Sequence, residues 1–379
     1  MGADAPIKGP PRSPGSLPPE GELSAAWGGP APLTVQFASD NNAGICPEAF
    51  AALREANRGH VFAYGADPWT ERACAAIRRT FDCDADVYLV FSGTAANALA
   101  LSAMCRPSDA VICHAFSHVN VDECGATERF SGGAKLLGVD TPLNKLTPDA
   151  VAARIVTPHD VHSSRPRALS LTQATELGTV YTVDELRALC ATAHARGVKV
   201  HMDGARFANA VVSLDCHPAD ITQRAGVDVL SFGGTKNGMP FGEAVVFFDR
   251  SLAEEFGRRR MQGGQLASKM RFLAAPWIAM LESGAWLERA SHANAMARRL
   301  AEGLTQVAGG NLLAPVDANG VFIDLPRGII DGLHARGWQF YVFVGDTGCR
   351  FMCAWDTTLE AIDALLRDIR ELEAANGAR

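Results

Sequence analysis

The chain has 379 residues, of which 47% are hydrophobic and 20% charged, and its formal net charge is −7. This composition is typical of a globular protein with a large core, most naturally in two domains. The acidic balance argues against a nucleic-acid surface, and the longest apolar run, at 272–281, is too short to span a bilayer and contains a proline.

The first 32 residues are rich in proline and glycine, which predicts a disordered tail rather than a secretory signal. Ten cysteines are scattered without a CxxC pair, which predicts reduced thiols in a cytoplasmic protein. Cys349 and Cys353 have a spacing that could share a metal. No second Cys/His pair with ligand spacing accompanies them, so we expect no metal site.

Short apolar runs alternate with helical stretches from about Asp84 onwards. We expect strands at 86–91, 110–114, 135–139, 168–173, 199–203, 227–232 and 244–249, with helices at 93–105, 147–155, 183–197 and 219–226. This alternation predicts an α/β fold, with a mostly parallel seven-stranded sheet covered on both faces in a large domain over 33–255.

After Arg250 the pattern changes. A long helical region over 251–308 is followed by strands at 320–325, 338–344 and 349–355, with helices at 329–336 and 358–375. This order predicts a smaller C-terminal α+β domain over 256–379.

Three of the predicted strands end in residues with unusual chemistry. The first is followed by Ser92, Gly93 and Thr94 at a helix start, where free amides attract a phosphate. The fifth ends in Asp203, which is either a helix cap, a partner of Arg206 or a counter-charge for a protonated ring nitrogen. The sixth precedes Lys236, either a solvated loop residue or an amine whose pKa is lowered by a cationic, desolvated site.

Ligands of open α/β sheets bind at the carboxyl ends of the strands. A phosphate turn, a carboxylate and a lysine at one such edge match the three groups of pyridoxal phosphate: its phosphate, its pyridinium and its aldehyde. The sequence therefore predicts a pyridoxal phosphate site at this edge.

Nine segments between Phe37 and the terminal helix carry a family resemblance, in this order: FASDNNAGICPEA, AYGADPWTERA, FSGTAANALAL, SHVNVDECGA, LTQATELGTVY, HMDGARFANA, SFGGTKNG, GGQLASKMRFL and RFMCAWD. With them the chain resembles the low-specificity L-threonine aldolases, and especially the bacterial subgroup that includes phenylserine aldolases. The resemblance implies an aspartate-aminotransferase-like fold (fold type I) and pyridoxal phosphate as the cofactor.

The resemblance also implies roles for the cofactor-binding residues. Lys236 matches the Schiff-base lysine, Asp203 the partner of the pyridine nitrogen, and His118 the histidine stacked over the ring. The phosphate-binding turn corresponds to Ser92, Gly93 and Thr94.

Further positions match residues near the substrate. Arg206 matches an arginine close to both cofactor and substrate, and His162 a second histidine near the substrate side chain. Ser39 and Arg350 match groups that bind the substrate carboxylate. Tyr64 and the GGQLASK segment are expected to come from a neighbouring subunit, which implies a homo-oligomer, either a dimer or a tetramer, with its active site at the subunit interface.

The chain departs from the family pattern at two places. Many members carry an acid at the position of Ala66, and Glu-Asn-Thr-His-Asn where this chain has TQATE at 172–176, so no role is transferred from that histidine. From the residues alone, His118 or His162 could each be a polar residue with satisfied hydrogen bonds and no direct role. Arg350 could pair with Asp346 or Asp356, and Glu123 could be a solvated helix residue or a group that orients a water.

The resemblance implies reversible retro-aldol cleavage of 3-hydroxy-2-amino acids, such as threonine, allo-threonine and phenylserine, to glycine and an aldehyde. Lys236, His118 and His162 are then the expected catalytic residues, and the base is His118, His162 or a water that they position. Transamination, β-elimination and racemisation would use the same sheet edge. A non-catalytic nucleotide-binding protein is disfavoured, because the chain has neither GxGxxG after its first strand nor a GxxxxGK[ST] loop.

Overall fold

A computed structural model of the protein describes residues 36–155, 161–307 and 309–377. The predicted tail at 1–32 lies outside the described residues. Across the described ranges, no helix is both long enough and apolar enough to cross a membrane.

A seven-stranded sheet forms the centre of the fold. Its strands are β1 Asp86–Val90, β2 Asp109–His114, β3 Lys135–Val139, β4 Arg165–Thr172, β5 Lys199–Gly204, β6 Val229–Phe232 and β7 Glu243–Phe247. The order across the sheet is β1-β7-β6-β5-β4-β2-β3, and every neighbouring pair is parallel except those that β7 forms with β1 and β6. The predicted mostly parallel, seven-stranded sheet is confirmed.

Helices cover both faces of this sheet. They are α1 Pro47–Ala56, α2 Pro68–Phe81, α3 Gly93–Met104, α4 His118–Val121, α5 Ala126–Ser131, α6 Pro148–Ile155, α7 Val183–His194, α8 Phe207–Leu214, α9 Phe256–Gln262, α10 Arg271–Ser283 and α11 Ala285–Leu304. Because helices lie on both faces, central strands such as β6 and β7 are buried along their whole length.

Aromatic packing fixes the end of β6, just before the predicted cofactor lysine. The Phe232 ring lies 5.4 Å from those of Phe81 and Phe207 and 4.7 Å from Trp277, measured between centroids. This close aromatic packing holds the end of β6 in place, just before the turn that contains Lys236.

A second, four-stranded antiparallel sheet lies in the C-terminal part of the chain. It contains β8 Asn311–Leu312, β9 Gly320–Asp324, β10 Tyr341–Val344 and β11 Gly348–Met352, in the order β10-β11-β9-β8, with helices α12 Arg327–Ala335 and α13 Leu359–Gly377. This arrangement agrees with a smaller α+β part, while the boundary at 255/256 stays a prediction.

The chain near Phe37 joins this second sheet. The Phe37 N–H donates to the Gln339 carbonyl, and the Phe37 carbonyl accepts from the Met352 N–H, both at 2.8 Å. These two bonds fix the following residues, Ser39 and Asp40, beside β11.

Two predicted helices differ from the observed elements. The predicted helix at 219–226 is a 3-10 turn at Pro218–Ile221, because the chain then reaches Gly226 with a φ of +106°. The predicted helical region at 251–308 contains the separate helices α9, α10 and α11. Gly264 and Gly284, with φ of +70° and +81°, separate them.

Candidate active site

Lys236 lies in a 3-10 turn, Thr235–Asn237, that follows β6. The turn is packed too tightly for larger residues, since a Cβ at Gly233 would lie 2.5 Å from the Ala205 carbonyl oxygen. Behind it, the buried Glu243 at the start of β7 accepts the Gly234 N–H at 2.5 Å. Burial raises the pKa of Glu243 to about 7. The turn is therefore fixed by its packing against Ala205 on one side and by its hydrogen bond to Glu243 on the other.

Lys236 is half-buried at the end of the sheet. Burial and the nearby Arg206 guanidinium lower its pKa, and the charges of Asp40 and Asp203 oppose this effect only in part. Such an environment is unlike that of a solvated loop lysine and favours the neutral, nucleophilic form of the amine.

Asp203 ends β5, next to the strand that leads into the lysine turn, and pairs in register with Ser231 of β6. Its Oδ1 accepts the Ala205 N–H at 2.9 Å, and its Oδ2 accepts the side-chain amide of Asn97 at 2.8 Å. Of the alternatives left open by the sequence, the helix cap is not formed, because Arg206 precedes α8 and no side chain caps that helix. The pairing with Arg206 is not formed either, because the guanidinium binds another carboxylate.

His118 begins α4 and is joined to the same network. Its Nδ1 lies 2.8 Å from Glu123 Oε1, which also accepts from Asn97 Nδ2 at 2.9 Å. This hydrogen bond raises the pKa of His118. Glu123 is 4% exposed, so the interpretation as a solvated helix residue is wrong.

A further carboxylate, Glu176, supports the start of α4. Its Oε1 accepts the His118 backbone N–H at 2.8 Å and the Thr172 hydroxyl at 3.0 Å. Burial raises the pKa of Glu176 to about 7. It belongs to the TQATE segment that departs from the family pattern, and it was not among the predicted site residues.

Arg206 forms a buried bidentate ion pair with Asp40. Its Nε and Nη2 donate to the two carboxylate oxygens at 2.7 and 2.9 Å, and Asn319 donates to Asp40 Oδ2 at 3.0 Å. The pair holds the pKa of Asp40 below its usual value and raises that of Arg206. Asp40 was missed by the sequence interpretation, although it directly follows the selected Ser39.

Arg350 projects from β11 between two aromatic rings of the neighbouring β10. Its guanidinium carbon lies 5.0 Å from the Tyr341 ring centroid and 4.8 Å from that of Phe343, and its Nη2 donates to the Ala38 carbonyl at 3.2 Å. Burial and Arg206 lower the pKa of Arg350.

In the described part of the chain, Arg350 Nε is buried without a hydrogen-bond partner. Arg350 therefore keeps one donor without an acceptor. Because Arg206 lowers its pKa, the guanidinium groups of Arg350 and Arg206 must also lie close together. The pairing with Asp346 or Asp356 that the sequence left open is not found among the described contacts.

The turn after β1 presents backbone amides. Ser92 caps α3 by accepting the Ala95 N–H at 3.4 Å. The amides of Gly93 and Thr94, at the helix start, find no acceptor among the described residues, as is usual for first-turn amides. The space beside Gly93 is open, since a Cβ there would meet nothing within 4 Å.

The remaining selected residues make other contacts. Ser39, between Ala38 and Asp40, caps a short turn by accepting the Asn41 N–H at 3.2 Å. His162 is exposed, in the loop before β4. Tyr64 is 57% exposed, and its N–H donates to the Ser268 carbonyl, within the GGQLASK segment, at 3.0 Å.

Comparisons with known proteins identify the family. The β-eliminating lyase family matches residues 36–327. A low specificity L-threonine aldolase of Pseudomonas aeruginosa is 56% identical over 337 residues, which cover 89% of this chain and 97% of that protein. The chain belongs to the low-specificity L-threonine aldolase family. A second member, from a Pseudomonas species, is 51% identical over 340 residues, covering 90% of this chain and 98% of that protein.

Solved structures agree with this assignment. A threonine aldolase of Leishmania major superposes with a TM-score of 0.83 at 28% identity, over 90% of this chain and 99% of that chain. A serine palmitoyltransferase of Sphingomonas wittichii shares the fold alone, with a TM-score of 0.68 at 16% identity over 91% of this chain and 88% of that chain. The predicted family and fold type I are thus confirmed, and enzymes of this family depend on pyridoxal phosphate.

The residues at the sheet edge fit this cofactor. Lys236 offers an amine whose pKa is lowered, and Asp203 offers a carboxylate on the neighbouring strand. The start of α3 offers unpaired amides with open space beside Gly93. An aldehyde, a ring nitrogen and a phosphate each have a chemically suitable partner.

Proposed function

We propose that this aldolase-family enzyme catalyses the reversible retro-aldol cleavage of 3-hydroxy-2-amino acids to glycine and an aldehyde. The substrates would be L-threonine, L-allo-threonine and phenylserine. The proposal rests on the lowered pKa of the Lys236 amine and on Asp203, which ends the strand next to the one that leads to Lys236. These residues lie in a chain 56% identical to a low specificity L-threonine aldolase.

Three groups would hold pyridoxal phosphate. Lys236 would bind its aldehyde, Asp203 would face its ring nitrogen, and the turn of Ser92, Gly93 and Thr94 would bind its phosphate. When bound, the cofactor supplies an electron sink for the bond that breaks at the substrate Cα.

Arg350 would bind the substrate carboxylate through its unsatisfied donor, with Ser39 nearby. The rings of Tyr341 and Phe343 both contact the guanidinium and keep it in one orientation. A fixed carboxylate orients the Cα–Cβ bond, which is the geometric requirement of the cleavage. Arg206 is anchored by Asp40 and would contribute a fixed positive charge between the amine and the substrate.

His118 is the better-supported base for the substrate hydroxyl proton. Its ring is held by Glu123 inside the site, whereas His162 is an exposed loop residue. Because the hydrogen bond to Glu123 raises the pKa of His118, the neutral, basic form grows with rising pH. We therefore expect cleavage to be faster at mildly alkaline pH.

We also propose a homo-oligomer with a shared site. Phe62 is 80% and Tyr64 57% exposed, and large exposed apolar side chains favour a partner surface. The bond between Tyr64 and Ser268 means that both segments would reach a neighbouring site together. A cytoplasmic location remains an inference from the free cysteines.

The test is a product assay. The purified protein, saturated with pyridoxal phosphate, is incubated with L-threonine or phenylserine, and glycine, aldehyde, keto acid and ammonia are measured. We expect glycine and aldehyde in equal amounts, and no turnover by Lys236→Ala. Lys135→Ala, an exposed lysine at the start of β3, is the matched control and should keep its cofactor and fold.

The match to the β-eliminating lyase family supports one competing activity, β-elimination. That reaction would yield a keto acid and ammonia in place of glycine. Keto acid as the main product would overturn the proposed cleavage, and full activity of Lys236→Ala would overturn the role of the lysine.

A further inference from the structure

Asn97 lies between two buried carboxylates. It is 2% exposed, and its Nδ2 donates to Asp203 Oδ2 at 2.8 Å and to Glu123 Oε1 at 2.9 Å. Glu123 Oε1 in turn lies 2.8 Å from His118 Nδ1. Three hydrogen bonds therefore link the carboxylate at the end of β5 to the imidazole at the start of α4.

The arrangement has a clear electrostatic requirement. Two ionised carboxylates that share one nitrogen repel each other, which favours protonation of one of them. Burial and the charge of Asp203 raise the pKa of Glu123, and the hydrogen bonds with His118 and Asn97 oppose this effect. A neutral amide that donates to both anions offsets this repulsion without adding a charge.

We propose that Asn97 is a positioning residue that keeps Asp203 and Glu123 ionised side by side and thereby keeps the shared proton on His118 rather than on Glu123. Its meaning for catalysis rests on the proposed function, in which Asp203 faces the ring nitrogen and His118 exchanges the substrate proton. The hydrogen-bond chain itself is independent of that function.

Other charged groups face His118 and must be included. Lys236 lowers the pKa of His118 and Asp203 raises it, while Glu176 accepts the His118 backbone N–H. The hydrogen bond that the His118 ring makes to Glu123 has the largest influence on this pKa. A change at Glu123 should therefore dominate the titration of His118.

The test is an NMR titration of His118 in the full-length protein, before and after saturation with pyridoxal phosphate. In Asn97→Leu, the two carboxylates lose their common donor, and one way to relieve the repulsion is to move a proton from His118 to Glu123. Because the two sites are coupled, the readout is the imidazolium fraction itself. We expect the pH at which half of the His118 rings are imidazolium to fall by about one unit.

A double-variant cycle separates this effect from simple packing. Glu123→Gln alone should lower the same midpoint, and adding Asn97→Leu to it should lower it no further. Asn294→Leu, which removes a fully buried amide bonded to Asn209, should leave His118 unchanged. An unchanged midpoint in Asn97→Leu, or additive shifts in the cycle, would overturn the proposal.

If Asn97→Leu does not fold, the proposal is tested in the wild-type protein by following the NMR signals of Asn97 during the same titration. The Asn97 side-chain amide signals should then shift with the same midpoint as His118, and signals that ignore this titration would overturn the proposal. The outcomes are also separable from the activity. A protein that cleaves threonine without the expected titration contradicts the link alone, and the expected titration in a protein that does not cleave threonine contradicts the proposed function alone.

Discussion

Replacement of Asp40 by asparagine removes the negative charge that Arg206 faces. The carboxylate is buried and accepts two hydrogen bonds from the guanidinium at 2.7 and 2.9 Å, and a third from Asn319. Breaking a buried ion pair by removing one partner typically costs about 3–5 kcal/mol, because the other charge stays buried and uncompensated. The asparagine oxygen can still accept one bond, so we expect a loss of about 3 kcal/mol in the free energy of unfolding.

Urea unfolding of the cofactor-free protein, followed by circular dichroism, measures this loss. Asp331→Asn is the matched control, because Asp331 pairs with Arg327 at 3.0 Å on the surface. An exposed pair contributes about 0–1 kcal/mol. Equal losses in the two variants would refute the reasoning.

The pH dependence gives a second readout of the same pair. The pKa of Asp40 is lower in the folded protein than its ordinary value of 3.8. Its contribution is therefore complete above this value and is lost as the pH falls below about 4. The wild-type protein should lose this stability in acid, and Asp40→Asn should lack that part of the acid dependence.

Three further predictions concern the other parts of the site. Arg350→Ala should raise the Michaelis constant about 10- to 100-fold, as expected for a lost charge-assisted contact, and an unchanged constant would contradict its role. The pKa of Glu243 is raised from 4.5 to about 7, so the free energy of unfolding should decrease as the pH rises through that interval. Glu243→Gln should reduce this decrease by about 3 kcal/mol, measured by unfolding at several pH values. An unaltered pH dependence in the variant would contradict the raised pKa. Gly93→Ala should leave unfolding of the cofactor-free protein nearly unchanged but weaken pyridoxal phosphate binding, whereas Gly233→Ala should unfold more easily by about 1–3 kcal/mol, because its Cβ would clash with backbone.

The sequence predicted the sheet well because parallel strands buried on both faces are continuous apolar runs. β2 is an example, since it is parallel to both of its neighbours and every one of its residues is buried. Helices α1 and α2 were not predicted, although both have proline at their start. Their buried faces consist largely of alanine, and both helices precede the alternation of strands and helices that begins at about Asp84.

The sequence also selected the strand ends at which Asp203 and Lys236 lie, but it did not predict the partners of the selected residues across the fold. Arg206 was selected, yet its partner Asp40 lies 166 positions away, and such a contact leaves no local signal. Asn97 reads as an ordinary polar residue in a helix, and its position between Asp203 and Glu123 follows only from how α3 packs against the sheet. The roles of the individual site residues remain predictions.

Reduction of the cofactor-saturated protein with borohydride, followed by peptide mass analysis, tests the central claim most directly. Borohydride makes the bond between an amine and the cofactor aldehyde permanent, so the modified peptide identifies the amine. We predict a single pyridoxyl-modified peptide, the one that contains Lys236. Modification of another lysine, or none in a protein that binds the cofactor, would contradict the account.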